Sequence, residues 1–177
     1  MKNNRTRALV LSAVCAALTA VIAPFTIFIG PVGVTLSVFA VLFTGAILPP
    51  GRAAASMLVY LAIGMVGLPV FSGFQSGPQV LAGPTGGYLA AYPLMALVMA
   101  VVCRRFTALP PRLLGVAAAL VVCYVPGTAW FMLVTGSSFG TALGLCVLPF
   151  VLPDLVKGVC ALLLARSLER RMDKAGL

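Results

Sequence analysis

Long apolar runs follow one another along most of the chain, separated by short segments rich in proline, glycine or basic residues. A helix that crosses a bilayer needs about 20 mostly apolar residues, with a range of about 17 to 25. The chain contains six candidate spans, of which the second, third and sixth are short; an apolar stretch, 141–151, precedes the sixth. The spans are 8–29, 32–48, 53–67, 86–103, 113–134 and 153–168. This pattern predicts an all-α polytopic membrane protein, with six transmembrane helices in a single domain over residues 1–177.

Composition supports this prediction and narrows the function. Of the 177 residues, 62% are hydrophobic and 8% are charged, whereas a soluble domain has about 25% charged residues. The chain has no histidine, and its acids are Asp154, Glu169 and Asp173. This inventory argues against an enzyme, a metal site or a catalytic residue, and no cofactor is expected. The cysteines lack CxxC spacing and indicate apolar packing rather than disulfides: Cys15, Cys103, Cys123, Cys146 and Cys160.

The placement of the basic residues predicts the orientation in the membrane. If six spans alternate, eleven of the twelve basic residues lie on one side. They are Lys2, Arg5, Arg7, Arg52, Arg104, Arg105, Arg112, Arg166, Arg170, Arg171 and Lys174. Basic loops mark the cytoplasmic side, so both termini are expected there, in a multi-pass protein of the cell membrane. The net charge of +9 thus reflects topology and contact with anionic lipid; no soluble basic face for nucleic acid is present.

Two ionisable residues, Asp154 and Lys157, lie toward the uncharged, external side of the sixth span. Pro153 suits the first position of a helix, and Asp154 then falls in the first turn, where the helix dipole favours an anion. Residues three apart share one helix face, so a local salt bridge is one interpretation. The other is a cavity in which Asp154 accepts hydrogen bonds from ligand N–H groups and Lys157 pairs with a ligand carboxylate.

The long external loop, residues 67–88, is rich in glycine, proline and serine and carries Phe71, Gln75 and Gln79. Non-helical backbone at membrane depth is tolerated where it is buried in protein or lines a cavity, so this loop is a candidate cover for a ligand site. It ends in GPTGGY, residues 83–88, which lacks the Lys-Ser/Thr of a phosphate-binding loop. The sequence leaves two interpretations of this segment open: a turn at the entry to the next helix, with Thr85 as its cap, or a part of the cover over the site.

Small residues at a spacing of four occur in the first span, where Ala13 and Ala17 lie in SAVCAALTA. In membranes this spacing lets helices approach closely. The pattern fits either packing inside the protein or docking to a partner.

Three segments together resemble the BioY family of biotin-binding S components of energy-coupling-factor (ECF) transporters: GLPVFSG, LAGPTGGYLAAYP and LPFVLPDLVKGVCALLLA. The segment VTLSVFAVLFTGAILPPGRAA is also similar, so the resemblance covers nearly the whole chain. It implies six helices with an external site, covered by the loops after helices 1 and 3. It also implies docking on a transmembrane coupling protein that sits on two cytoplasmic ATPase subunits.

The resemblance further implies roles for particular residues. Asp154 and Lys157 match the acidic and basic ligand pair of the family, and Ala13 and Ala17 match its docking face. The glycine-rich binding segment corresponds to Gly83, Pro84, Thr85, Gly86, Gly87 and Tyr88.

One segment departs from the family pattern. The family often has Thr-Leu-Gln early in helix 2, where this chain has Thr35-Leu36-Ser37. Thr35 and Ser37 are therefore candidate contacts, and Gln75 or Gln79 is a candidate substitute for the glutamine.

Two other functions remain as alternatives to a biotin-binding transport subunit. One is a stand-alone homo-oligomeric carrier or channel for biotin or another small vitamin, which would show uptake in vesicles that contain only this chain. The other is an intramembrane enzyme, which the residue inventory disfavours.

Overall fold

The computed structural model describes residues 2–29 and 32–174. Within these ranges the chain forms eight α-helices, a short 3₁₀ turn and one two-stranded hairpin. The helices are α1 (Lys2–Ile22), α2 (Ser37–Ile47), α3 (Pro50–Met65), α4 (Pro78–Ala82), α5 (Gly86–Arg105), α6 (Leu109–Thr135), α7 (Phe139–Cys146) and α8 (Leu148–Lys174). The strands are β1 (Thr26–Ile29) and β2 (Val32–Thr35), and the 3₁₀ turn is Ser72–Phe74.

Three helices, α5, α6 and α8, are long and apolar enough to cross a membrane. They correspond to the fourth, fifth and sixth predicted spans. Among the described residues, shorter apolar helical segments cover Ala8–Ile22 and Ser37–Ile47. The prediction of a mainly helical membrane protein is confirmed, whereas the count of six spans stays a prediction.

The first two predicted spans are too long, because their facing ends form the antiparallel hairpin. Thr26 pairs with Thr35 and Ile29 with Val32. Pro24 lacks a backbone donor and disfavours helix at the residue before it, and the segment beyond it is rich in β-branched residues that favour strands. Hydrophobicity alone does not separate an apolar strand from the end of an apolar helix.

The start of α8 also differs from the prediction. The helix begins at Leu148, so Pro153 lies inside it rather than at its first position. Pro149, in the first turn, occupies the place where a missing N–H costs little. Asp154 is consequently about two turns into the helix, and its position owes nothing to the first-turn dipole.

The core lies around α5, which packs against α2, α3 and α6, while α2 also packs against α8. Four side chains of α5 are fully buried and spaced along one helical face: Met95, Ala96, Met99 and Ala100. The buried stripe continues into Val116 and Ala119 of α6. Because α5 is enclosed on several sides, side chains near its start are held in fixed positions.

Arg112, near the start of α6, is buried rather than free at the membrane surface. It is 6% exposed, and its guanidinium donates to the carbonyl oxygens of Cys103, at 3.0 Å, and Phe106, at 2.8 Å. It also forms a salt bridge of 3.1 Å with Glu169 of α8. Arg112 therefore joins the end of α5 to α8 at the end of the bundle where the arginines gather.

Candidate functional site

A partly open cavity lies between the hairpin and helices α2, α3, α5, α6 and α8. It contains about 710 Å³ of space between the atoms, its open mouth included. Its polar lining comes from Thr35, Ser37, Tyr60, Ser72, Thr85, Tyr88, Tyr92, Cys123, Tyr124, Cys146 and Asp154. Its apolar lining comes from Gly33, Val38, Val80, Leu89 and Phe150. Most of the surface that these residues present to the cavity is nevertheless apolar, because rings and aliphatic carbons contribute more of it than the polar atoms do. An apolar cavity surface with convergent polar groups is the usual form of a small-molecule site.

Asp154 is the acidic group of this cavity and is 3% exposed. One carboxylate oxygen accepts a hydrogen bond of 2.7 Å from the hydroxyl of Tyr124. The other accepts from the ammonium of Lys157 at 2.8 Å. A carboxylate has about four lone-pair sites, so both oxygens can still accept hydrogen bonds from a ligand.

Lys157 does not line this cavity. It lines a second, mostly apolar cavity under the hairpin, together with Phe25, Ile27, Thr35 and Phe74. Its side chain is 13% exposed, compared with 5% for that of Asp154. The i,i+3 spacing has thus produced the salt bridge, with the acid facing the main cavity and the base facing the hairpin.

Three hydroxyl groups form a connected chain on another part of the cavity wall. The Ser37 hydroxyl bonds to the Tyr92 hydroxyl at 2.7 Å and to the Thr35 hydroxyl. The Thr35 oxygen also accepts from the backbone N–H of Ser37 at 3.1 Å. Thr35 and Ser37, both predicted as site residues, are therefore brought together with Tyr92, which was not.

Some residues of the GPTGGY segment line the cavity, and the others pack one helix against another. Thr85 and Tyr88 line the cavity, and the Tyr88 hydroxyl bonds to that of Thr128 at 3.0 Å. Thr85 occupies the N-cap position of α5, but its side chain makes no capping hydrogen bond, so the predicted cap is wrong in that respect.

The glycines of this segment allow close approach. A Cβ on Gly87 would overlap Cβ of Trp130 on α6, and one on Gly86 would overlap the carbonyl oxygen of Leu81. The indole N–H of Trp130 donates to the carbonyl oxygen of Gly83 at 2.9 Å. Gly83, Gly86 and Gly87 thus set the path of the backbone and the contact between α5 and α6, while their neighbours face the cavity.

The other predicted residues of the long loop lie outside the main cavity. Phe71 is fully buried, and its ring packs edge-on against Tyr60 with 5.8 Å between ring centres. Gln75 and Gln79 line a shallow surface pocket that also includes Gly83 and Pro84. In this conformation none of these residues lines the space beside Asp154.

The hairpin and the long loop are fastened to each other above the cavity. The hydroxyls of Thr26 and Ser72 bond at 2.8 Å, and the N–H of Gly73 donates to the carbonyl oxygen of Pro24 at 3.0 Å. Phe25 and Phe74 add an edge-to-face contact of 5.6 Å. We refer to the Thr26–Ser72 and Pro24–Gly73 contacts as the latch; it joins the two segments that lie over the mouth of the cavity.

Three tyrosines of the cavity, Tyr60, Tyr92 and Tyr124, were missed at the level of sequence. Each lies in an apolar helix, where a tyrosine hydroxyl needs a polar partner when buried. Tyr60 donates to the carbonyl oxygen of Val70 at 3.0 Å, and its ring stacks on that of Tyr92. Tyrosines within spans that carry few other polar groups were the available signal.

Ala13 and Ala17 lie on one exposed face of α1. Val10, Val14 and Val21 on the same face are 55%, 56% and 64% exposed, respectively. The opposite face of α1 is buried through Cys15, Ala16 and Thr19. The small residues at positions 13 and 17 are therefore not used for packing within the described part of this chain.

Comparison with known proteins assigns the family. The family model described as "BioY family" matches residues 1–174. The chain is 38% identical over 159 residues to "Probable biotin transporter BioY" of Pyrococcus horikoshii, covering 90% of this chain and 94% of that protein. It is 32% identical over 175 residues to "Biotin transporter BioY2" of Lactococcus lactis, covering 98% and 96%, respectively.

A solved structure shows the same fold. It is described as the "S-component for biotin from an ECF-type ABC transporter" and matches with a TM-score of 0.89 at 23% identity, over 96% of this chain and 94% of that one. Together with the family match over residues 1–174, the fold leads to one assignment: this membrane protein belongs to the BioY family.

Proposed function

We propose that the chain is the biotin-binding S component of an ECF-type vitamin transporter and has no enzymatic activity of its own. It captures external biotin and docks on a coupling protein driven by two cytoplasmic ATPase subunits. The observation that carries this proposal is the cavity with a buried carboxylate, Asp154, at its wall. The family to which the chain belongs and the biotin-transport function of its relatives support the same ligand.

Biotin suits the chemistry of the cavity. Its cyclic urea offers two N–H donors and one carbonyl acceptor, its thioether ring is apolar, and its tail ends in a carboxylate. Asp154 accepts from the urea N–H groups, while Val38, Leu89 and Phe150 contact the apolar ring. Lys157, in the adjoining cavity, neutralises Asp154 and attracts the negatively charged tail.

The other predicted contact residues differ in how they reach the ligand. Thr85 and Tyr88 contact the ligand from the wall that they already line. Phe71, Gln75, Gln79, Gly83 and Pro84 lie in the loop that covers the site, and a direct contact with biotin requires this loop to shift inward. Gly86 and Gly87 contribute by placing the start of α5 close to α6.

Calorimetric titration of the purified protein with biotin tests the assignment. We expect saturable binding that Asp154→Asn weakens by about thirty-fold or more, since loss of a charged partner from a buried site costs about 2–5 kcal/mol. Ser167→Asp, which changes the charge at an exposed position of α8 outside this cavity, is the matched control and should bind as the unmodified protein does. No heat and no thermal shift at saturating biotin would overturn the substrate assignment.

The proposed orientation has six spans, both termini in the cytoplasm and the hairpin outside, in the plasma membrane. It follows from the basic residues near one set of helix ends. Membrane-impermeant thiol labelling of intact cells, in a variant without native cysteines, should modify Gln75→Cys and leave Thr107→Cys unmodified. Both positions are exposed, and the reverse labelling pattern would contradict the orientation.

The proposed docking face is the exposed side of α1. Tryptophan at Ala13 or Ala17 should prevent close helix approach, so that assembly with the coupling protein and ATP-driven uptake are lost while biotin binding by the isolated chain is retained. Ala118→Trp, at an exposed position of α6, is the control for a bulky residue elsewhere on the surface. Normal assembly of both α1 variants would show that this face does not dock. Uptake by vesicles that contain only this chain would favour the stand-alone carrier instead.

A further inference from the structure

The three hydroxyls of Thr35, Ser37 and Tyr92 line the cavity and can be treated as one hydrogen-bonding unit. Each hydroxyl carries one proton and can accept through two lone pairs. Two hydrogen bonds join the three groups, so the unit uses two of its three protons internally. One proton is left over, and no further acceptor for it occurs among the hydrogen bonds of the described residues.

The hydrogen bonds allow an arrangement that leaves the spare proton on Tyr92. The Thr35 oxygen already accepts from the backbone N–H of Ser37, and its hydroxyl bonds to that of Ser37. The Tyr92 hydroxyl has Ser37 as its hydrogen-bond partner. When Thr35 donates to Ser37 and Ser37 donates to Tyr92, the phenolic proton is free to enter the cavity.

Tyr92 is also held in place more firmly than Thr35, which is at the other end of the unit. It lies on α5, inside the bundle, and its ring stacks on Tyr60 with 6.5 Å between ring centres. Thr35, in contrast, ends the hairpin that covers the site. Groups held on packed helices keep a narrower geometry than groups on connecting segments.

We infer that Tyr92, positioned by Ser37, is a specificity-determining residue that donates a hydrogen bond to a carbonyl-type acceptor of the ligand. Asp154 accepts from ligand N–H groups, so the two walls together select a compact ring that carries both kinds of group, such as a cyclic urea. This inference rests on the proposed function, and it assigns to Tyr92 the recognition of the urea oxygen.

The test compares two ligands that differ at that oxygen. Biotin has a urea carbonyl, whereas 2-iminobiotin has a cyclic guanidine, which is protonated near neutral pH and offers no acceptor there. Tyr92→Phe removes the hydroxyl and keeps the ring. We expect it to weaken biotin binding about five- to hundred-fold, because a buried carbonyl is left without its donor. Its affinity for 2-iminobiotin should stay the same or rise.

Two further variants distinguish the loss of this one hydrogen bond from general damage to the site. Tyr60→Phe removes the hydroxyl of the stacked tyrosine in the same cavity, but that hydroxyl donates to the carbonyl oxygen of Val70. It should therefore leave the ratio of the two affinities unchanged. Ser37→Ala removes the partner that positions Tyr92, and we expect a smaller loss, about two- to ten-fold, again confined to biotin.

The outcomes separate this inference from the proposed function. Failure of the unmodified protein to bind biotin refutes the proposed function, and this inference with it. If the unmodified protein binds biotin but Tyr92→Phe binds it equally well, the inference alone is refuted. An equal loss for both ligands refutes it too, because it would mean that the hydroxyl acts through the structure. A loss confined to biotin supports it.

Discussion

Loss of the salt bridge between Asp154 and Lys157 should destabilise the protein to a different extent depending on which partner is replaced. The two groups are 2.8 Å apart, but their surroundings differ. The side chain of Asp154 is 5% exposed and that of Lys157 is 13% exposed, beside the cavity under the hairpin. An ammonium left without its partner can turn toward water on its flexible stem, whereas the short side chain of Asp154 cannot leave the cavity wall.

Lys157→Met keeps an apolar stem and leaves Asp154 with Tyr124 as its remaining donor. Breaking a buried pair by removing one partner costs about 3–5 kcal/mol. Asp154→Asn keeps an acceptor for Tyr124 and leaves the more exposed ammonium, so we expect a smaller loss of about 1–3 kcal/mol. The double variant removes both charges and should regain most of the stability.

Reversible unfolding of the ligand-free protein in mixed micelles measures all four proteins under one condition. The expected order of stability is unmodified protein and double variant first, then Asp154→Asn, then Lys157→Met. A larger loss for Asp154→Asn than for Lys157→Met would refute the argument from water access. A double variant as unstable as the worse single variant would show that the unpaired charge is not the cause.

Three other predictions follow from contacts already described. Gly87→Ala should destabilise the protein by about 1–3 kcal/mol through overpacking against α6. Gly144→Ala is the control: no atom lies within 4 Å of the added Cβ, so this change should be neutral or stabilising. Equal unfolding temperatures for the two variants would contradict this prediction. Arg112→Lys should lower the free energy of unfolding by about 1–3 kcal/mol, because an ammonium does not reproduce the several hydrogen bonds that the buried guanidinium makes. An unfolding midpoint equal to that of the unmodified protein would contradict this prediction. Thr26→Val breaks the bond to Ser72 and should speed biotin dissociation about two- to ten-fold in stopped-flow measurements; an unchanged rate would show that the latch does not retain the ligand.

The features predicted well from the sequence are those that depend on local spacing and hydrophobicity. The fourth and fifth spans, 86–103 and 113–134, appear as Gly86–Arg105 and Leu109–Thr135. The salt bridge between Asp154 and Lys157 was one of the two interpretations of this pair, because residues three apart share a helix face wherever the helix begins. It therefore survived the wrong placement of the start of α8.

The features that escaped prediction depend on which helices become neighbours. Ser37 and Tyr92 are 55 residues apart in the chain, and Tyr124 is 30 residues from Asp154. Nothing local to any of these residues specifies its partner, since the contact exists only after α2, α5, α6 and α8 have packed. The hairpin escaped for another reason, because its apolar residues read equally well as the ends of two helices.

The arrangement of the site separates recognition from access. Asp154, Tyr124 and Tyr92 lie on long helices whose positions are set by core packing, so we expect these polar groups to keep their geometry when a ligand binds. The two strands of the hairpin pair with each other, and the hydrogen bonds of the latch join the hairpin to the long loop. The hairpin is therefore held less firmly than the cavity walls that the packed helices form. We therefore expect a ligand to enter by displacing the hairpin and the loop rather than by rearranging the charged pair. Substitutions on α5, α6 and α8 should then alter which ring is bound, and substitutions in the latch should alter how long it stays.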